Sequence, residues 1–85
     1  MLTTIHIHIR LFYHLKEKAG IDRIELDVNP GVTIADLKNI LETRYPSLRT
    51  HLDNIMVLMD RKIVLDDDLV IEGAEISFLT PVGGG

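Results

Sequence analysis

The groups in this sequence that could do chemistry are few, and the most suggestive lies at the C-terminus. The run Val82-Gly83-Gly84-Gly85 ends on a glycine carboxylate. An α-carboxyl is ionised at neutral pH and is therefore an oxygen nucleophile. With no Cβ beside it, nothing hinders its attack at phosphorus or a later attack on its activated carbonyl. The preceding glycines let the backbone lie flat in a channel where side chains would clash. Residues Pro81 to Gly85 reach roughly 16 Å when extended, enough to enter a partner's active site while the folded body docks outside.

The side chains offer less. His6 and His8 stand two apart, a spacing that can chelate a metal, but two donors do not make a site and the sequence shows no third. His14 and His51 have no geometry readable from sequence. Asp66-Asp67-Asp68 lacks the alternating ligands and closing glutamate of a calcium loop and reads as a solvated turn. Ser47 and Ser77 have no recognisable nucleophile setting. No bound metal and no intrinsic active site are expected. The chain has no cysteine, which removes disulfides, thiolate catalysis and zinc–thiolate sites. If the protein handles sulfur, the carboxyl terminus must carry it.

The elements that position this terminus follow from periodicity. Ile5 to Phe12 alternate apolar and polar, a strand with Ile5, Ile7, Ile9 and Leu11 inward and His6, His8, Arg10 and Phe12 outward. Tyr13 to Ala19 can make one or two helical turns, closed by Gly20. Ile24, Leu26 and Val28 mark a second strand, pairing with the first as an antiparallel hairpin, before Asn29-Pro30-Gly31 breaks the chain. Thr33 caps a helix with Asp36 in a capping-box arrangement. Ile34, Leu37, Ile40 and Leu41 share one face, and the helix runs to about Arg44, ahead of Pro46.

Ser47 to Asp53 can add a short helical turn. Ile55-Met56-Val57-Leu58-Met59 is a continuous apolar run, which suits a strand buried on both faces. Asp60-Arg61-Lys62 turns into a short strand Ile63–Leu65, and a last strand spans Glu75–Thr80, with Ile76 and Phe78 inward and Ser77 and Leu79 outward. One amphipathic helix covers one face of such a sheet, giving an α+β sandwich with an open second face. Phe12 and Leu79, with one register of Met56–Leu58, would form an apolar docking patch there, with Lys16 as a nearby charge contact.

Composition narrows the class further. Eighty-five residues with 46% hydrophobic content suit one folded domain. No apolar stretch is long enough for a membrane span, and the N-terminus lacks signal-peptide features, so a soluble, cytoplasmic protein is expected. A net charge of −4 disfavours nucleic acid and anionic membranes.

The ending Ile76-Ser77-Phe78-Leu79-Thr80-Pro81-Val82-Gly83-Gly84-Gly85 resembles the tail of the MoaD-type small subunit of molybdopterin synthase. So do Ile9-Arg10-Leu11-Phe12, Leu15-Lys16-Glu17-Lys18-Ala19-Gly20 and the helix opener Val32-Thr33-Ile34-Ala35-Asp36-Leu37. Thr80 stands where that family often has proline, and Gly83 where it usually has alanine or threonine, while Gly84-Gly85 is kept. The resemblance implies a ubiquitin-like β-grasp: a mixed sheet of four to five strands, one main helix, a domain over 1–80 and a flexible tail over 81–85.

It also implies that an adenylating enzyme related to ubiquitin-activating enzymes acts on Gly85, with Gly84 beside it and Pro81, Val82 and Gly83 recognised as the tail. A sulfur donor would make a thiocarboxylate for the molybdopterin synthase large subunit, docked through Phe12, Lys16 and Leu79. The chain would be a carrier, not an enzyme. ATP, magnesium and the pterin precursor would sit on partners, and no Walker-type loop is present here to hold phosphates. Other acceptors in the same reading are thiamin thiazole and tRNA thiolation. The alternatives are a modifier conjugated through Gly85 and an interaction module with an inert tail.

Overall fold

The alternation at the N-terminus does form a strand, β1 (Ile5–Leu11), with Ile7, Ile9 and Leu11 buried. The computed structural model describes residues 3–80; Pro81, Val82, Gly83, Gly84 and Gly85, on which the tail expectations fall, lie outside the described residues. A one-and-a-half-turn helix, α1 (His14–Ala19), follows and buries Leu15. Gly20 ends it in the left-handed region at φ 75°, with its N–H donated to the Lys16 carbonyl at 3.0 Å, as a glycine C-cap should. The chain returns as β2 (Arg23–Val28), antiparallel to β1.

The main helix, α2, spans Ile34–Arg44. Its opening is a complete capping box: the Thr33 hydroxyl accepts from the Asp36 N–H at 3.3 Å, and the Asp36 carboxylate accepts from the Thr33 N–H at 3.0 Å. The acidic loop supplies the next acceptors. The carbonyls of Asp68 and Asp66 take the N–H groups of Ile34 and Ala35 at 3.0 and 2.9 Å, so first-turn donors that a helix leaves orphaned are satisfied. Lys38 reaches the Asp66 carboxylate at 2.7 Å and ties the loop to the helix side. This acidic run is thus a helix-capping loop.

Two short 3-10 turns, Pro46–Leu48 and Leu52–Asn54, bury Leu48 and Leu52 and lead into β3 (Met56–Met59). Met59 pairs with Lys62 across a two-residue turn, Asp60–Arg61, into β4 (Lys62–Val64). Both turn residues have positive φ, 51° and 71°, the backbone that tight hairpins require and that matches strand twist. The last strand, β5 (Glu75–Leu79), runs up the middle of the sheet.

The sheet order is β2-β1-β5-β3-β4, with β1 and β5 parallel and the other neighbours antiparallel. Ile34, Leu37 and Leu41 of α2 pack with Ile7, Ile9, Val57, Ile76 and Phe78 in one apolar cluster, and among the described residues every buried side chain is apolar or alanine. A five-stranded mixed sheet with a single crossing helix on one face is the ubiquitin-like β-grasp. One expectation fails. The apolar run of β3 is not buried on both faces: Val57 is, but Met56 is 44% exposed and Leu58 only half-buried, because α2 covers one face of the sheet alone. The outward residues of this run belong to a surface.

Candidate functional site

That surface is assembled by sheet register. In the parallel β1–β5 pair Leu11 stands beside Phe78, and the Phe12 N–H extends the ladder by donating to the Phe78 carbonyl at 3.2 Å. Phe12 therefore comes level with Leu79 at the end of β5. Across the next pair Leu79 faces Met56, and one step back Ser77 faces Leu58, which in turn faces Ile63 of β4. Side chains alternate along each strand, and Val57, Ile76 and Phe78 occupy the buried face. Phe12, Leu79 and Met56 hence form one outward row over three strands, with Leu58 and Ile63 in the adjacent row.

Charge frames this apolar patch. The Arg10 guanidinium lies 5.2 Å from the centre of the Phe12 ring, a cation–π contact that holds the ring against the sheet and keeps a cation at the patch border. Lys16 sits on the exposed side of α1, lining a shallow hollow with Tyr13, Gly20, Ile21 and Asp22. The Tyr13 ring is 6.4 Å from that of Phe12, so hollow and patch are neighbours. The structure thus places Phe12 and Leu79 together, and Lys16 on the next element along.

Met56 and Ile63 complete the patch. The sequence left the register of Met56–Leu58 open and did not assign a face to Ile63, because face parity in a hairpin depends on the number of turn residues. Arg10 was read as an outward strand residue only; its stacking on Phe12, two positions on, follows from their shared face.

The far end of the outer face is polar. His6 Nδ1 lies 2.7 Å from Asp27 Oδ1, and His6 Nε2 lies 3.1 Å from Glu25 Oε1. His8 Nδ1 approaches the same Glu25 oxygen at 3.4 Å. The hydrogen bond to Asp27, and secondarily that to Glu25, raises the His6 pKa above its ordinary value, while the His6 imidazole lowers that of Glu25. Ser47, with no nucleophile setting in the sequence, donates its hydroxyl to the Lys18 carbonyl at 2.7 Å and so braces α1.

Fold and patch together define a β-grasp protein whose central strand, β5, runs beside an exposed apolar patch. The chain belongs to the ThiS family, whose profile matches residues 9–85. It is similar to the molybdopterin synthase sulfur carrier subunit of Mycobacterium tuberculosis, 29% identical over 63 residues that make up 74% of this chain and 76% of that protein. The protein of the same name from Drosophila erecta is 27% identical over 84 residues, 95% of this chain and 92% of that one. Among solved structures, two of small archaeal modifier protein 1 of Haloferax volcanii superpose with a TM-score of 0.84 at 26% identity, covering 94% and 92% of this chain and 99% of that one.

Proposed function

We propose that this chain is a sulfur carrier for molybdopterin synthesis in the cytoplasm, a β-grasp domain over 1–80 whose tail, 81–85, bears the reactive Gly85 carboxylate. The observation that carries the reading is the course of β5: it runs through the sheet centre beside the Phe12–Leu79–Met56 patch, and in the sequence it is followed after Thr80-Pro81-Val82 by the glycine ending. The family match, and two relatives of nearly the same length named as sulfur carrier subunits, support it.

In this mechanism the Gly85 carboxylate attacks the α-phosphorus of ATP on an adenylating enzyme, and the bond to pyrophosphate breaks. A carboxylate is a poor acyl electrophile because oxide is a prohibitive leaving group; the adenylate makes AMP the leaving group instead. A donor supplying sulfur at the level of hydrosulfide attacks the acyl carbon and AMP departs, leaving a thiocarboxylate. On a synthase large subunit, the thiocarboxylate sulfur attacks a carbon of the pterin precursor, the carbon–oxygen bond there breaks with the oxygen leaving as its anion, and an acyl–sulfur link joins the two molecules. Water then cleaves the acyl–sulfur bond, returning the Gly85 carboxylate and leaving sulfur on the pterin. ATP, magnesium and the precursor are held by the partners. This chain supplies the docking face (Phe12 and Leu79, with Lys16 at its edge), tail recognition by Pro81, Val82 and Gly83, and the unhindered Gly84-Gly85 end.

Intact mass measurement after incubation with ATP, the adenylating enzyme and a sulfide source tests the reading. The expected result is a gain equal to exchange of one oxygen for sulfur, mapped to Gly85 and lost when Gly85 is deleted. An unchanged mass, with the enzyme active on its own carrier, overturns it.

The likeness to an archaeal modifier protein supports a second reading, in which the same adenylate is captured by a partner lysine as an isopeptide. Higher-mass adducts in cell extracts, absent from the Gly85 deletion, separate it from pure sulfur transfer.

A further inference from the structure

His6 and His8 project from the same side of β1, and the antiparallel register sets Asp27 opposite His6 and Glu25 opposite His8. The sequence shows two donors on one strand; only the pairing of β1 with β2 discloses a third. Glu25 Oε1 lies 3.1 Å from His6 Nε2 and 3.4 Å from His8 Nδ1. One donor atom from each of the three residues falls within 4.8 Å of the others. In a tetrahedral centre with bonds of about 2.0–2.1 Å, ligand atoms stand roughly 3.3 Å apart. The two imidazole–carboxylate separations, 3.1 and 3.4 Å, lie close to it.

Two imidazoles therefore converge on a single carboxylate oxygen. Asp27 adds a further constraint. Its carboxylate, 2.7 Å from His6 Nδ1, accepts the ring N–H there, so when a cation displaces the Nε2 proton that otherwise donates to Glu25, the freed lone pair lies on the Glu25 side. A carboxylate behind a metal-binding imidazole is the usual means of fixing tautomer and ring direction.

We propose that His6 Nε2, His8 Nδ1 and Glu25 form a surface site for a borderline divalent cation of the zinc class, with Asp27 as its positioning residue. Two imidazoles and one carboxylate suit zinc, nickel or copper; magnesium and calcium prefer all-oxygen sets. Three protein donors leave a position for water or for a side chain of another molecule. The site bridges the edge strand β2 to β1, so an occupied site clips the outer hairpin of the sheet. It lies four residues along the strand from Phe12, about 13 Å, and leaves the apolar patch free. The inference stands apart from the carrier reading, since neither Gly85 nor the patch takes part.

The test is a zinc chloride titration of the metal-free full chain, followed by calorimetry and by NMR of the histidine rings. The expected result is one-to-one binding that moves the His6 and His8 ring signals and leaves those of His14 and His51 in place. His8→Ala and Glu25→Gln should each weaken binding at least tenfold, while His14→Ala and His51→Ala keep it. Asp27→Asn should weaken it by roughly ten- to a hundredfold, the range for loss of such a partner, and should alter the His6 ring nitrogen shifts that report the tautomer. Unmoved His6 and His8 signals in about tenfold zinc excess would overturn the proposal, as would equal movement of all four rings. The wild-type spectra decide this even where a variant folds poorly.

Discussion

Phe12 donates its backbone N–H to the Phe78 carbonyl at 3.2 Å, extending the parallel ladder of β1 and β5 one bond beyond Leu11. The two aromatic residues are joined through the backbone yet serve opposite faces: Phe78 is wholly buried and Phe12 lies half-buried on the open face of the sheet. Core and apolar patch are thereby linked at the end of the central strand.

Adjacent substitutions on β5 should therefore separate stability from binding. Phe78→Ala removes a fully buried ring and is expected to cost about 3–5 kcal/mol, a large part of the stability of a small domain. Leu79→Lys, pointing outward, should change stability by about 1 kcal/mol or less and weaken binding to a synthase large subunit at least tenfold. Denaturant unfolding and calorimetry on both variants check this; loss of stability in Leu79→Lys matching that of Phe78→Ala would refute the assigned facing.

Thr33→Ala should destabilise the fold by about 1 kcal/mol, since it removes the hydroxyl that accepts the Asp36 N–H. The Asp66 and Asp68 carbonyls still cap Ile34 and Ala35, so α2 should persist. Far-ultraviolet circular dichroism should be unchanged while the denaturation midpoint falls.

The imidazole of His6 is faced by Asp27 and Glu25, with the His8 ring edge-on at 5.0 Å. Its pKa is raised from 6.5, so the stabilisation is full below 6.5 and fades as pH rises through the higher folded-state value. Glu25 is lowered from 4.5, so its contribution is full above 4.5 and fades as pH falls through the lower value. The pair thus contributes fully between these two ordinary values. In a chelator-treated sample, the NMR midpoint of His6 should lie above 6.5 and drop in Asp27→Asn; an unchanged midpoint in that variant would count against the assigned cause.

Deleting Gly84 and Gly85 should abolish thiocarboxylate formation while leaving the thermal midpoint unchanged, because the apolar core draws on residues from Ile7 to Phe78. A fall of several degrees would show that the ending contributes to folding.

Much of this was legible in the sequence because local signals agreed with one another. Thr33, Asp36 and the spacing of Ile34, Leu37 and Leu41 set α2 at Ile34–Arg44, and the alternation from Ile5 set β1 and its outward His6, His8, Arg10 and Phe12. The misreading of β3 has a definite cause: a run of five apolar residues carries no period, so nothing in it distinguishes a buried face from a docking face. Register was the other gap. The placement of Met56 beside Leu79 and of Glu25 beside His8 is long-range pairing, while that of Ile63 beside Leu58 depends on the length of the Asp60–Arg61 turn. No local pattern encodes it.

The parallel pairing of β1 with β5 joins segments from opposite ends of the sequence at the centre of the sheet. Such a contact closes a loop of nearly the whole chain, so it carries the largest loop-closure entropy of the strand pairings in this sheet. During synthesis β1 has to wait for β5 to emerge. The strand that leads toward the glycine ending is also the strand that completes the fold, so a half-made molecule lacks the Phe12–Leu79–Met56 patch altogether.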